Sequence, residues 1–190
     1  MTQRRRQASY AVLWAGAALL AGALGSAGLV AAHTGASGVV KERMDQMKDA
    51  GDATKALADM MRGKSAYDAA AVRRLADRIA GHGGDALTEN FPEGSLDPPT
   101  EARPEIWENW SRFEDLAHRM EAYARALAKA ADNPRAGDQA GSGMMGQGGG
   151  MMGGDAGPPP ERLAKAPPEA AFRRLTQTCS ACHKSFRVDK

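Results

Sequence analysis

Apolar residues recur about every 3.5 positions from Val39 to the end of the chain, and no segment alternates as a β-strand does. This pattern predicts a first helix from about Gly38 to Arg62. One side of that helix carries Val40, Met44, Met47, Leu57 and Met61. A second helix is expected after Asp68, whose side chain suits an N-cap. It should bury Val72, Leu75 and Ile79 and end at Gly81, Gly83 and Gly84.

The clearest periodicity follows Pro104, which is expected to open a third helix. Steps of four and three residues connect Ile106, Trp110, Phe113, Ala117, Met120, Ala124 and Leu127. A fourth helix is expected from about Pro167, with one stripe formed by Phe172, Leu175, Cys179, Cys182 and Phe186. Four helices with facing apolar seams predict an all-α fold, a four-helix bundle.

The N-terminal part of the chain has a different composition. Three arginines at positions 4–6 precede an uncharged apolar stretch from about Ala11 to Ala32. This is the pattern of an export signal, and Val30-Ala31-Ala32 offers small residues for cleavage. The stretch is also just long enough for an uncleaved membrane anchor, although its glycines and alanines weaken that alternative. We therefore assign residues 1–32 to a signal peptide or N-terminal anchor, and both place the remainder outside the cytoplasm.

Charge and length limit what the remainder can be. The formal net charge is +2, but the three arginines at positions 4–6 are the only charged residues before His33, so residues 33–190 carry −1. A domain so close to neutrality has no general electrostatic case for binding nucleic acid. Its length of about 155 residues suits one domain with a single core.

The most informative motif is Cys179-Ser180-Ala181-Cys182-His183, close to the end of the chain. On a helix the two cysteines lie on one face about a turn apart, so both sulfurs can bond to one porphyrin. The adjacent imidazole of His183 can then ligate the haem iron on the proximal side. The motif predicts one covalently attached haem c, a cofactor that bacteria attach outside the cytoplasm.

Three other interpretations of the cysteine pair are possible. They are a thioredoxin-like redox pair, half of a zinc site and a structural disulfide. Zinc needs about four ligands, and the other histidines, His33, His82 and His118, are distant in the sequence. The histidine directly after the second cysteine favours haem.

Five short segments, in this order, make the chain from Val39 to Arg187 resemble the cytochrome c′ family, the class II c-type cytochromes. They are Val40-Lys41-Glu42-Arg43, Tyr67-Asp68-Ala69, Phe91-Pro92-Glu93-Gly94-Ser95, Pro104-Glu105-Ile106-Trp107, and Cys-x-x-Cys-His followed by Phe186-Arg187. The resemblance implies an antiparallel bundle in the periplasm, frequent homodimers and haem attached to the fourth helix.

Members of this family differ in what occupies the other side of the iron. The resemblance implies that the residue four positions after the first-helix arginine decides this, and here Met47 follows Arg43. A methionine there implies the low-spin, methionine-ligated branch, since a thioether can coordinate haem iron. The alternative is that Met47 only fills the pocket as a flexible core residue. Met44 competes for the same role, while Met60 and Met61 are expected to pack in the core.

Two arginines are candidates for contact with the haem. Arg43 could pair with a haem propionate, because a guanidinium holds a carboxylate with two hydrogen bonds, or it could form an ordinary surface ion pair. Arg187 lies one turn beyond His183, where the family commonly has a basic residue near the haem. Its charge could equally just favour the helix C-terminus.

The chain departs from the family between the third and fourth helices. About 33 residues, 133–165, stand where the resemblance implies a short turn. Their density of Gly and Pro predicts a disordered loop. The methionine pairs within 143–153 could capture Cu(I), form a partner contact, or reflect drift in a low-complexity segment.

The leading hypothesis is a periplasmic electron carrier with one haem, ligated by His183 and Met47, that exchanges electrons with redox partner proteins. A membrane location is expected only if the N-terminal segment is retained. No nucleophile or acid–base pair is visible, so an enzyme is not expected. The alternatives are a five-coordinate cytochrome c′ that binds nitric oxide or carbon monoxide, and copper handling by the methionine-rich loop.

Overall fold

The computed structural model describes residues 35–138 and 157–188. These residues form seven helices: α1 (Gly38–Met61), α2 (Ala69–Ala80), α3 (Asp85–Thr88), α4 (Glu105–Glu108), α5 (Trp110–Ala130), α6 (Pro160–Leu163) and α7 (Pro168–Phe186). Within these ranges no helix is both long and apolar enough to cross a membrane. The export or anchor segment assigned to residues 1–32 lies outside the described residues.

The ends of the long helices follow local signals in the sequence. Asp68 caps α2 as expected, because its Oδ1 accepts hydrogen bonds from the backbone N–H groups of Ala70 and Ala71 at 2.8 and 3.1 Å. Pro168 occupies the first position of α7, where a missing N–H costs nothing. The boundaries predicted for the first, second and fourth helices are confirmed.

The third predicted helix is interrupted near its start. Asn109 has φ −126° and ψ 43°, outside the helical region, and this residue separates α4 from α5. Beyond the break, the predicted seam is buried at Phe113, Ala117 and further along α5, while Trp110 is half-buried. The expectation of one continuous helix from Pro104 is therefore wrong at Asn109, whereas the predicted apolar stripe is confirmed from Phe113 onward.

The four long helices α1, α2, α5 and α7 form an antiparallel bundle. Asp49 in the first half of α1 pairs with Arg78 near the end of α2, so these two helices run in opposite directions. Arg73 near the start of α2 likewise pairs with Asp132 just beyond α5. At the same end, Arg135 pairs with Glu169 in the first turn of α7 at 2.8 Å. The predicted four-helix bundle is confirmed.

Two apolar clusters fill the bundle. The main core includes Leu57, Val72, Ile79, Ala124, Leu127 and Leu175, all fully buried. The second, which we call the aromatic cluster, consists of Leu87, Phe91, Ile106, Phe113, Leu116, Ala117 and Phe186. Helix α5 packs closely against both α2 and α7, whereas α1 and α7 make few contacts with each other. The bundle is thus least tightly closed between α1 and α7.

Part of the segment predicted to be a disordered loop is structured. Within 133–165, residues 160–163 form α6, and Leu163 is buried in the main core. Asn133 donates hydrogen bonds to the carbonyl oxygens of Ala164 and Ala166 at 3.0 and 2.8 Å. The prediction of disorder is wrong for these ends, because one buried leucine and two amide hydrogen bonds fix them. The methionine-rich stretch 143–153 lies outside the described residues.

Candidate haem site

The motif cysteines lie in the last part of α7, on the side that faces the two apolar clusters. Cys179 packs against the main core and Cys182 packs against the aromatic cluster. Both are half-buried, and no disulfide joins them. Because they are three residues apart on one helix, their sulfurs lie on one face about a turn apart, as two bonds to one ring require.

The environment of the thiols distinguishes them from a redox-active pair. Burial raises the pKa of Cys179, and burial together with the neighbouring Cys179 raises the pKa of Cys182 to about 12. A reactive cysteine pair needs the opposite shift, toward the thiolate at neutral pH. The redox-pair interpretation is therefore disfavoured.

His183 follows on the outer edge of the same helix. Its side chain is more than one-third exposed, yet partial desolvation lowers its pKa, and the positive charge of Arg187 adds to this lowering. Nε of Arg187 donates to the Glu101 carboxylate at 2.7 Å. Two backbone hydrogen bonds flank this ion pair, from Arg103 N to Phe186 O and from Val188 N to Glu101 O. The end of the motif helix is thereby held against residues 101–103.

Among the methionines of α1, Met47 is the one that contacts both apolar clusters. It is half-buried and packs against both the main core and the aromatic cluster, the surfaces that also contact the two cysteines. Met44 belongs to neither set of contacts. Met60 is buried in the main core and Met61 packs against it, as expected. They lie at the other end of α1, where Arg135 approaches their carbonyl oxygens.

Arg43 lies one turn before Met47 and is 3% exposed. Its Nη1 donates to Asn90 O and Ser95 Oγ at 3.4 and 3.2 Å, and its Nη2 donates to Ser95 O and to Thr100 Oγ1. The guanidinium carbon lies 4.7 Å from the centre of the Phe91 ring. Burial lowers the pKa of Arg43, although Asp97 acts in the opposite direction. The burial excludes an ordinary surface ion pair.

One donor of Arg43 remains unused. Its Nε is buried and has no hydrogen-bond partner within the described part of the chain, and it is the one buried side-chain atom there in this condition. A buried guanidinium nitrogen without an acceptor is costly, and a carboxylate is the acceptor it suits best. This orphaned donor, the paired cysteines and the loosely closed α1–α7 side together fit a haem with its carboxylate substituents.

Comparison with known proteins identifies the family of this chain. The family model described as cytochrome C′ matches residues 38–148, more than half of the chain. The chain belongs to the cytochrome c′ family. A cytochrome c-556 from Agrobacterium tumefaciens (strain II Chrys) is 30% identical over 154 residues, covering 81% of this chain and all of the relative. A cytochrome c′ from Rhodopseudomonas palustris is 35% identical over 89 residues, covering 46% of this chain and 60% of the relative.

Solved structures show the same fold. Cytochrome c′ from Rhodopseudomonas palustris superposes with a TM-score of 0.58 at 25% identity, over 82% of this chain and 99% of that structure. Cytochrome c′ from Thermochromatium tepidum gives a TM-score of 0.58 at 20% identity, over 80% and 95% of the two chains. Dimers are known among cytochromes c′, since one solved member shows ligand-controlled dimer dissociation.

Membership in the cytochrome c′ family settles the cofactor class. The family binds covalent haem c, and this chain has two cysteines and a histidine in the attachment pattern near its C-terminus. The chain is therefore a c-type cytochrome, and its relatives carry the names of cytochromes, not of enzymes. The zinc and disulfide interpretations are superseded.

Some residues of the site are not marked by any pattern in the sequence. Glu101, the partner of Arg187, and Ser95 and Thr100, which accept from Arg43, lie in the connection between α3 and α4. No periodicity marks such residues, because their roles depend on contacts with helices far away in the chain. Arg43 lies three residues after Val40 and four before Met47, on the side of the first helix expected to be buried, and this position is a signal that polar partners must exist nearby.

Proposed function

We propose that this cytochrome is a periplasmic electron carrier with a single haem, ligated by His183 and Met47. The observation that carries the proposal is the position of Met47. It is the half-buried methionine of α1 that contacts both apolar clusters, and each of those clusters also contacts one motif cysteine. A thioether here is favourably located for the iron side opposite His183.

The residues of the chain have separate tasks in this proposal. Haem supplies the one-electron couple when bound, and the protein sets its potential through ligand identity and burial. Cys179 and Cys182 hold the ring, while the apolar clusters keep water away from it. The free Nε of Arg43 supports a hydrogen bond to a propionate. Arg187, held by Glu101, supports a contact with the haem close to the proximal side.

An absorption spectrum of the purified holoprotein tests the ligand assignment. We expect sharp low-spin bands in the reduced protein and a weak methionine–iron charge-transfer band in the oxidised protein. Met47→Leu should convert both forms to high spin, because leucine fills the same space without a ligating atom. Met44→Leu is the matched control, one turn earlier on the same helix, and should leave the spectrum unchanged. A high-spin native spectrum, or a Met47→Leu spectrum identical to the native one, would contradict the proposal.

The location and partners belong to the same proposal. The N-terminal segment, three arginines followed by an apolar stretch, supports export to the periplasm. In the periplasm we expect redox partner proteins and a homodimer. Fractionation of cells that express the full chain, with intact-mass measurement, tests this. A haem-loaded product in the periplasm that lacks about 32 residues is expected for a cleaved signal. A full-length product in the membrane would indicate an anchor, and a cytoplasmic product would contradict export.

A second candidate function has specific support. A variant of cytochrome c prime from Alcaligenes xylosoxidans has been solved as its nitric oxide complex, and it shares this fold with a TM-score of 0.55. Met47 is half-buried on a flexible side chain, so a diatomic ligand could displace it. Titration of the reduced protein with carbon monoxide separates the two functions. Tight, rapid binding by the native protein favours gas binding, whereas binding only in Met47→Leu favours the carrier.

A further inference from the structure

A shallow depression lies on the outer side of the aromatic cluster. Its lining consists of Thr88, Glu89, Phe91, Pro92, Glu93, Trp107 and Trp110. Both tryptophans in the described ranges are in this one place, and both are half-buried. Two large aromatic side chains at one surface site are typical of a place where another molecule binds.

The two indole rings are held in position by different contacts. Nε1 of Trp107 donates a hydrogen bond to Phe91 O at 3.0 Å, which ties α4 to the connection after α3. The ring of Trp110 lies 5.5 Å from that of Phe113 in the aromatic cluster. Asn109 interrupts the helix between them, so the two tryptophans are not at regular helical spacing. Because the hydrogen bond and the ring contact hold both indoles in place, the lining is preorganised.

The segment that supplies most of the lining is strongly acidic, although the whole chain is nearly neutral. From residue 85 to residue 108 the only basic residue is Arg103, and the acidic residues are Asp85, Glu89, Glu93, Asp97, Glu101, Glu105 and Glu108. Some of these charges are paired, such as Glu101 with Arg187 and Glu105 with Arg103. Glu89 and Glu93 are exposed and form no ion pair within the described part of the chain. Two uncompensated carboxylates thus lie on the rim of an aromatic surface.

We propose that this depression binds a lysine or arginine side chain on the basic face of a redox partner protein. Aromatic faces attract cations, tryptophan most strongly, and the two glutamates complement the charge. The aromatic cluster contacts Trp107 and Trp110 and also contacts Cys182 and Met47, so a partner bound here docks close to the motif helix. The inference rests on the proposed electron-carrier function for the identity of the partner.

A peptide titration tests the site separately from redox chemistry. The ¹⁵N-labelled holoprotein is titrated with a tri-arginine peptide with blocked ends, and the indole N–H signals of Trp107 and Trp110 are followed by NMR. Both signals should shift and saturate, and added salt should weaken binding. Glu89→Gln combined with Glu93→Gln should weaken it about threefold to tenfold. Glu161→Gln, an exposed glutamate on α6 at the other end of α5, is the matched control and should bind as the native protein does.

Three results would overturn the inference: indole signals that do not move, equal affinity in the native protein and the double variant, or tetramethylammonium binding as tightly as the peptide. The last would assign the depression to a small organic cation. Failure of the proposed electron-carrier function gives a different result: the native spectrum is high-spin, whether or not the peptide binds. A protein that has a low-spin spectrum but does not bind the peptide would contradict the docking site alone.

Discussion

Arg43 illustrates how one residue joins the haem site to the fold. Four hydrogen bonds connect its guanidinium to Asn90, Ser95 and Thr100, residues 47 to 57 positions further along the chain. These bonds fix α1, one turn before Met47, to the connection between α3 and α4, which carries Phe91 of the aromatic cluster. The arginine therefore has a structural role whether or not its Nε meets a propionate.

Replacing Arg43 by lysine tests this role, because lysine keeps the charge but cannot form the same fork of donors. We expect Arg43→Lys to lower the free energy of unfolding by about 2–3 kcal/mol, since buried acceptors lose their partners. Urea denaturation of the holoprotein measures it. Arg62→Lys, an exposed arginine at the end of α1, is the control and should change stability by less than about 0.5 kcal/mol. A loss as small in Arg43→Lys would contradict the account.

At the scale of the helices, local signals made most boundaries predictable. The cap at Asp68 and the proline at the start of α7 act within one turn, so the sequence alone is sufficient to locate them. The break at Asn109 was not predictable, because it coincides with a tertiary contact, the hydrogen bond from Trp107 to Phe91. Helices α3 and α6 have four residues each, too few to show a periodicity.

Some residues of the candidate site were likewise predictable from the sequence, and others were not. The cysteines and His183 were predictable because the attachment chemistry needs them within five consecutive residues. Met47 required a resemblance to a family, since nothing local marks a methionine as a ligand. The partners of Arg43 and Arg187 required the fold, because they lie in a connection that pairs with helices distant in sequence.

The segment before α7 gives a test at the scale of an element. Leu163 on α6 is 4% exposed and packs in the main core. Leu163→Ala should therefore cost about 2–4 kcal/mol in the free energy of unfolding, the range for a buried leucine. Lys165→Ala, exposed two residues later, should have almost no effect. If both variants were as stable as the native protein, α6 would not be a packed element and the original expectation of disorder would stand there too.

For the whole molecule, the looser contact between α1 and α7 has a consequence for folding. Helix α5 packs extensively with α2 and α7, so we expect these three helices to keep a packed core without the cofactor. Helix α1 packs mainly against α2 and makes few contacts with α7. A bound haem would supply apolar surface at that position.

Hydrogen exchange measured by mass spectrometry checks this. In a protein with Cys179→Ala and Cys182→Ala, which cannot attach haem covalently, protection should fall most in α1 and least in α5. The native holoprotein is the reference for each helix. Equal protection of α1 in both proteins would mean that haem does not support this side of the bundle. Complete loss of structure would contradict a cofactor-independent core of α2, α5 and α7.

The central claim is that Met47 ligates the iron, and the proton NMR spectrum of the reduced protein tests it most directly. A methionine methyl group held against the haem plane experiences the ring current of the porphyrin, which moves its signal far upfield of ordinary methyl groups. The account predicts one such upfield methyl signal that disappears in Met47→Leu and persists in Met44→Leu. A reduced protein with no shifted methionine methyl, or one whose shifted signal survives Met47→Leu, would contradict it.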